Sequence, residues 1–421
     1  IYTLAEPTAA LIDYLNEERE KATVSRRIDI SEGKKTLLVF DLGGGPCDVS
    51  IMEVNEDSNG QIHIQELSIS QYTELGGVDF DEIVVNRLLL PQLLKAKQLS
   101  PMEIKKLSPD VRIMLQSNLK KIAENTKKTF TRIIKSKVEM NGENYFENSQ
   151  AYDNIRHREM TIGLPSELTH TFEITKKMYD DCIKVFLYES QTGKDIETPI
   201  KNAIKYATKN ITMDSIDQVF LVGGMTNYPT IQERIYEIFN KRIKPVSSIN
   251  PMYSVSRGAS VYNYYKGKIN LSGPDEVDSD GGTIDVGNIL PDNVYINVVT
   301  GDPIALLEKG TEAGSSRIIE DKFVVSGKRN QETISEMELE LFSAESPTSM
   351  KITELESAVL RFRKPVKSDT KITIKAEYTD NREVIVSAWL KDDESEKIDV
   401  TIGESKISPE KAESIKKDDV K

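Results

Sequence analysis

The stretch Thr36-Leu-Leu-Val-Phe-Asp-Leu-Gly-Gly-Gly45 is the most informative in the chain. It begins with a largely apolar run of the length of a buried strand and ends in an aspartate and a glycine turn. The bare N–H groups of such a turn can approach a phosphate closely, and the aspartate can orient a metal-bound water. Glycine triplets are also common in tight turns, so this stretch alone leaves both interpretations open.

Two further glycine pairs extend the pattern. Gly76 and Gly77 open a helix, whose macrodipole can add to anion binding, and Gly223 and Gly224 end a second apolar strand, Val219 to Val222. The alternation of strands and helical periodicity predicts a mostly parallel, helix-covered sheet. Glycine turns at the ends of its strands suggest one ligand cleft at an edge of that sheet.

Apolar spacing predicts the other elements of this region. A short helix is expected after Pro7 and a solvated loop from Asn16 to Lys35. The alternating run Val49 to Val54 is typical of the returning strand of a hairpin, and a further strand is expected at Val138 and Met140. Helices are predicted between 79 and 132 and at 175–188, 196–209, 230–239 and 253–265. The first residues, Ile1 to Leu4, resemble the end of a buried strand, so the chain is expected to begin within a fold.

Composition limits the class of protein. A length of 421 residues suggests two to four domains, and a formal charge of −13 disfavours a nucleic-acid binder. No apolar run approaches the ~20 residues that span a bilayer, so no membrane partner is expected. Two cysteines without metal-ligand spacing favour a reducing, cytoplasmic location, and Cys47 is expected to be inert packing rather than a redox-active thiol.

The composition changes after the α/β region. Residues 1–267 form that region, and residues 268–282 are rich in Gly, Ser and Asp, which is typical of a linker. Short alternating strands then predict an all-β domain, most simply a sandwich, over residues 283–403. Residues 404–421 form a charged tail that begins like a helix.

Six short motifs together resemble the 70-kDa heat-shock chaperone (DnaK-like) family in order and approximate spacing. They are Glu6-Pro-Thr-Ala-Ala10, Asp41-Leu-Gly-Gly-Gly45, Leu75-Gly-Gly-Val-Asp-Phe-Asp81, Leu221-Val-Gly-Gly224, Ile249-Asn-Pro251 and Arg257-Gly-Ala-Ser260. The resemblance implies an α/β actin-like (ribonuclease H-like) ATPase lobe and an all-β sandwich substrate-binding domain. It also implies that the family's first ATPase lobe and most of its helical lid are missing from this chain.

The resemblance assigns roles to individual residues, with ATP or ADP and Mg as the cofactor. Gly43, Gly44 and Gly45 would face the β- and γ-phosphates, and Asp41 would contact magnesium through water. Glu6 and Asp41 match positions in the catalytic cleft. The other expected nucleotide-binding residues are Gly76, Gly77, Glu124, Lys127, Lys128, Thr131, Gly223 and Gly224.

The helical residues of this set have a simpler interpretation as well. Glu124, Lys127 and Thr131 share one helical face and could hydrogen-bond ribose hydroxyls, with Lys128 beside the base. Without the resemblance, a solvated charged face would be favoured.

The resemblance implies an ATP-binding molecular chaperone in which nucleotide binding is coupled to peptide binding in the β domain. Expected partners are unfolded or extended peptide segments, a J-domain protein and a nucleotide-exchange factor. Pro46 stands where the family has a threonine near the γ-phosphate, and proline has no N–H to donate, so hydrolysis is expected to be weak or absent.

Two alternatives remain open at this point. The first is a non-catalytic chaperone partner or exchange-factor-like protein that keeps the fold as a scaffold. The second is an actin-like filament protein or sugar kinase, although neither of these predicts a β domain after the α/β region.

Overall fold

The structure is a computed structural model, which describes residues 4–19, 28–58, 60–69, 73–142, 144–248, 250–271, 284–299, 301–326, 332–349, 352–355, 357–391 and 393–402. The chain divides into two compact units, the first with residues 5–64 and 68–284 and the second mainly with residues from 285 onward. The predicted strand at Ile1 to Leu4 lies almost entirely outside the described residues. No described helix is long and apolar enough to cross a membrane.

The first unit is an α/β structure. Its helices are α1 (Glu6–Arg19), α2 (Gly77–Val84), α3 (Leu90–Lys97), α4 (Pro101–Lys106), α5 (Pro109–Asn141), α6 (Lys176–Ile183), α7 (Glu197–Lys205), α8 (Pro229–Ile238) and α9 (Ser254–Leu271). Its strands are β1 (Lys35–Leu42), β2 (Cys47–Glu56), β3 (Ile62–Ile69), β4 (Arg156–Met160), β5 (Thr171–Thr175), β6 (Gln218–Val222) and β7 (Val246–Ser247).

Strand β1 lies inside a mixed sheet with the order β7-β6-β1-β2-β3. Strands β7, β6 and β1 are parallel, whereas β2 is antiparallel to β1. The prediction of a mostly parallel sheet is therefore wrong, because the sheet is mixed, whereas the hairpin return predicted for Val49 to Val54 is confirmed. Residues 43–46 form a turn too short for a crossover, so the chain can only return as a hairpin.

Two helices run further than predicted. Helix α1 continues to Arg19 into the predicted loop, and Glu18 is buried on it. Helix α5 continues to Asn141 through Val138 and Met140, so the predicted strand there is wrong. A long helix gains a hydrogen bond with each added residue, which outweighs a brief apolar alternation. The helix stops at Gly142, which has a φ of +64°.

Helices α1 and α9 are in close contact. A Cβ atom on Gly258 would lie 1.7 Å from the carbonyl oxygen of Ala9, so only glycine fits this crossing. Beside it, the Arg257 guanidinium donates hydrogen bonds to Asp13 at 2.6 Å and to Glu17 at 2.7 Å. The motif Arg257-Gly-Ala-Ser260 therefore fixes α9 against the helix that begins at Glu6.

The second unit contains no helix among its described residues. Its strands are β8 (Ile284–Gly287), β9 (Asn293–Ile296), β10 (Ile304–Leu307), β11 (Ser316–Val324), β12 (Thr333–Leu339), β13 (Leu341–Ala344), β14 (Thr353–Glu354), β15 (Ala358–Lys367), β16 (Lys371–Tyr378), β17 (Val384–Leu390) and β18 (Asp393–Ile402). Strands β9 to β18 form sheets with the orders β10-β9-β13-β14, β11-β16-β17-β18 and β12-β15. Their inward side chains, among them Leu306, Leu360 and Ile372, form one apolar core.

Candidate functional site

Two of the three glycine turns are in direct contact at the end of β1. The Gly77 N–H donates a hydrogen bond of 2.8 Å to the carbonyl of Gly43. A Cβ atom on Gly76 would lie 2.0 Å from the carbonyl oxygen of Gly45 and 2.7 Å from that of Gly44. No L-side chain fits at Gly76 without moving one of the turns. The turn of residues 43–45 therefore packs directly on the start of α2, and Gly76 and Gly77 are buried in that contact, whereas Gly44 and Gly45 stay exposed.

The start of α2 is held by its own third residue and by a distant lysine. One carboxylate oxygen of Asp79 accepts a hydrogen bond of 2.8 Å from the Gly76 N–H, and the other accepts one of 2.6 Å from the Lys194 ammonium. The fully buried Asp195 next to Lys194 accepts hydrogen bonds from Ser190 and Thr198, which fixes this loop. Neither Asp79 nor Lys194 is among the predicted site residues.

Lys127 brings helix α5 to the glycine turns. Its ammonium nitrogen would lie 3.8 Å from a Cβ atom on Gly77, and it is 2.9 Å from Asp81 on α2. Both side chains of this ion pair are largely buried, at 13% and 14% exposure. Burial raises the pKa of the Asp81 carboxyl, and the neighbouring Lys127 charge opposes that rise. The pair is therefore a partly desolvated link between the two helices.

The other predicted residues of α5 bond along their own helix. Glu124 and Lys128 form an exposed ion pair of 2.5 Å, and the Thr131 hydroxyl donates a hydrogen bond of 3.0 Å to the Lys127 carbonyl. The charge of Glu124 is nevertheless close enough to raise the pKa of Asp81. Among the four predicted α5 residues, Lys127 thus places its ammonium group beside Gly77.

Three carboxylates surround the end of β1. Asp48 lies directly opposite Asp41 in the β1–β2 hairpin, and Glu6 is the first residue of α1. Burial, followed by the charges of Asp48 and Glu6, raises the pKa of Asp41 to about 6. Burial and the Glu6 charge also raise the pKa of Asp48. Like charges on directly paired strand positions destabilise a sheet, so this arrangement needs a reason other than stability.

The third glycine turn closes against Asp41. Gly223 has a φ of +86°, and a Cβ atom on it would lie 2.6 Å from a carboxylate oxygen of Asp41. Gly224 begins a short 3₁₀ turn that ends at Asn227, and a Cβ atom on it would have no neighbour within 4 Å. Gly223 is therefore required by packing, whereas Gly224 lies beside open space.

The carboxylates suit a water-mediated magnesium ion better than a directly held metal. Among the described residues, no three His, Cys, Asp or Glu side chains are grouped to hold a metal ion. Magnesium usually keeps several waters and is bound by one or two carboxylates together with phosphate oxygens. Asp41 and Asp48, beside a turn of bare N–H groups, match that donor set.

Cys47, at the start of β2, has no exposed surface. Burial raises the pKa of its thiol well above the usual range, and the charges of Asp48, Asp41 and Asp195 add to the rise. A reactive cysteine needs the opposite environment, exposed and electropositive. The structure therefore agrees with the expectation of an inert packing residue.

Comparison with known proteins gives a consistent result. The chain matches the Hsp70 protein family over residues 3–269. It is 29% identical over 262 residues to the heat shock protein 70 homolog of Acanthamoeba polyphaga mimivirus. That match covers 62% of this chain but spans only 22% of the length of the viral protein. Because the family match includes the glycine turns, α5 and the α1–α9 contact, the chain belongs to the Hsp70 family as a divergent member.

Proposed function

We propose that this chain is part of a molecular chaperone that binds ATP or ADP with magnesium at the glycine turns and extended peptide in its β unit. Membership of the Hsp70 family supports a chaperone-type function and does not favour the scaffold alternative. The nucleotide-binding part of the proposal depends on one observation, the packing of residues 43–45 on Gly76 and Gly77 at the end of β1, with the Lys127 ammonium beside Gly77.

In this proposal the phosphates lie on the bare backbone of residues 43–45, next to the start of α2. Asp41, with Asp48 opposite it in the hairpin, would hold magnesium through water, and Glu6 would add to the negative charge of the cleft. Bound magnesium supplies positive charge that offsets these carboxylates and the phosphates. The desolvated carboxylates support this role, because their raised pKa values indicate a charge that the fold itself does not neutralise.

The nucleoside would lie between α5 and the third glycine turn. Lys127 is held close to Gly77, and Glu124, Lys128 and Thr131 offer polar groups for ribose and base. Gly223 and Gly224 would cover the other side, where the open space at Gly224 leaves room for a ligand.

Hydrolysis by this chain is proposed to be weak. Pro46 ends the β1–β2 turn and has no N–H to donate to a phosphate oxygen. Loss of one donor to a developing charge typically costs about 3–4 kcal/mol, or a factor of about 10² to 10³ in rate.

The β unit contains a groove suited to an extended apolar segment. It has a volume of about 670 Å³, and its lining combines apolar side chains, such as Ile304, Phe323, Val324 and Met337, with polar ones, such as Lys322 and Glu336. Val324 is 41% exposed there. We propose that extended peptide binds in this groove. We also propose that the protein works with a J-domain protein and a nucleotide-exchange factor in a reducing cytoplasm.

Calorimetric titration of the full chain with ADP and magnesium tests the nucleotide half. Lys127→Met should weaken binding at least about tenfold, because it removes the α5 cation next to Gly77. Lys135→Met, at an exposed position on the same helix, is the matched control and should bind normally. A correctly folded chain that binds neither ADP nor ATP would rule out the nucleotide half.

Fluorescence anisotropy with a labelled apolar peptide tests the proposed peptide binding in the β unit. Val324→Asp places a charge in the groove and should abolish binding. Val359→Asp is the control, since this valine is 42% exposed on β15 and does not line the groove. Equal affinities of the two variants would show that peptide binds elsewhere or not at all.

A further inference from the structure

Helix α6 and the start of α8 share a buried polar cluster that has no role in the function proposed above. Lys176 is only 2% exposed and forms an ion pair of 2.5 Å with Asp180. Asp180 also accepts hydrogen bonds of 2.7 Å from the Tyr228 hydroxyl and 3.0 Å from the Thr230 hydroxyl. Burial raises the pKa of Asp180, and these three partners oppose the rise. Three directional contacts thus converge on one largely buried carboxyl group.

An aromatic contact extends this cluster to α5. The rings of Tyr228 and Tyr179 lie 5.3 Å apart, and the ring of Tyr179 lies 6.2 Å from that of Phe130. All three side chains are almost fully buried. Phe130 is on α5, one helical turn after Lys127.

Tyr228 also ends the third glycine turn. It follows the 3₁₀ turn that begins at Gly224, and its N–H donates a hydrogen bond of 3.0 Å to the Met225 carbonyl. At the other end of the turn, Gly223 packs on Asp41. One tyrosine thus connects the glycine turn, α6 and, through Tyr179, the nucleotide-facing helix α5.

We propose that Tyr228 is a positioning residue that uses its hydrogen bond to Asp180 to set the distance between the Gly223–Gly224 turn and α5. This inference deepens the proposed nucleotide site and depends on it for its functional consequence. A buried ion pair contributes little stability relative to apolar packing of equal volume, but its hydrogen bonds define one geometry. Such hydrogen bonds can therefore hold two walls of a cleft, here the Gly223–Gly224 turn and α5, at one separation.

Tyr228→Phe in the full chain removes the hydroxyl and keeps the buried ring. Its matched control is Tyr378→Phe in the second unit, where a buried tyrosine donates a hydrogen bond of 3.2 Å to the Ile289 carbonyl. Two measurements are made on each variant. The first is the affinity for ADP with magnesium, and the second is backbone hydrogen exchange at residues 225–228 without nucleotide.

Tyr228→Phe should weaken ADP binding about tenfold, which is the effect of one lost hydrogen bond to a charged group. Exchange at residues 225–228 should become faster, and Tyr378→Phe should change neither quantity. Unchanged exchange and affinity in Tyr228→Phe would overturn the inference, as would equal effects in the control. If the unsubstituted chain binds no nucleotide, the proposed function fails, and the exchange result alone decides whether Tyr228 positions the turn.

Discussion

Replacing Asp41 with asparagine is expected to stabilise the first unit at neutral pH. Burial and the charges of Asp48 and Glu6 raise the pKa of Asp41 from 3.8 to about 6. Above that pH the folded chain carries an ionised carboxylate in surroundings that disfavour ionisation. The shift is about two pKa units, and each unit corresponds to about 1.4 kcal/mol, so the ionised group lowers the free energy of unfolding by about 3 kcal/mol.

The expected gain depends on pH in a definite direction. The folded state has the higher pKa, so it takes up the proton first as the pH falls. The stabilisation from this proton is complete below the unfolded pKa and is lost as the pH rises through about 6. The advantage of Asp41→Asn should therefore be largest near pH 7 and fall to roughly half by about pH 5.

Urea unfolding measured by two signals is a direct assay. Far-ultraviolet circular dichroism reports on the helices of the first unit, and fluorescence of Trp389, the only tryptophan, reports on the second. Asp214→Asn, at an exposed position, is the matched control and should change stability by less than about 0.5 kcal/mol. Asp41→Asn should also lose magnesium-dependent nucleotide binding, because it removes the negative charge proposed to hold the ion. The residue that favours function thus lowers stability. A gain that is absent at neutral pH, or that does not vary with pH, would refute the reasoning.

Three further predictions, two of them with a control substitution, test packing and charge. Gly258→Ala places a methyl group 1.7 Å from a carbonyl oxygen of α1, so urea unfolding should show a loss of about 1–3 kcal/mol. Gly224→Ala, whose methyl group meets nothing within 4 Å, should stay within about 0.5 kcal/mol, and equal losses would contradict the packing argument. Lys176→Met removes the opposite charge from the largely buried Asp180 carboxylate and should cost about 3–5 kcal/mol in the same assay. Lys177→Met breaks only an exposed ion pair and should cost less than about 1 kcal/mol, so a similar loss would count against burial as the cause. Gly76→Ala should push the two glycine turns apart and weaken ADP binding at least about tenfold, as measured by calorimetry. Normal affinity would show that the turns can move apart without loss of the site.

The features that depend on neighbouring residues could be predicted from the sequence. The apolar run before Asp41 forms β1, the run before Gly223 forms β6, and the glycines occupy the ends of these strands. The position of Asp48 could have been predicted in the same way. A hairpin turn of residues 43–46 determines the register, which places Asp48 directly opposite Asp41.

The features that depend on packing between distant segments could not be predicted. The ion pair of Asp81 with Lys127 and that of Asp79 with Lys194 join positions 46 and 115 residues apart. Their partners are common surface residue types with no local pattern, so only the packed helices reveal them. The length of α5 was missed for a related reason, because cooperative helix growth outweighs the local pattern around Val138.

The buried thiol of Cys47 can report local opening of the protein at the β1–β2 hairpin. An alkylating reagent can reach it only when the end of the β1–β2 hairpin separates from its surroundings. With Cys182 replaced by serine, the rate of Cys47 alkylation measures how often the glycine turn opens, and no further label has to be introduced into the chain. A ligand that holds the glycine turn closed lowers the alkylation rate of Cys47. The unreactive cysteine therefore reports whether a ligand is bound at the turn beside it.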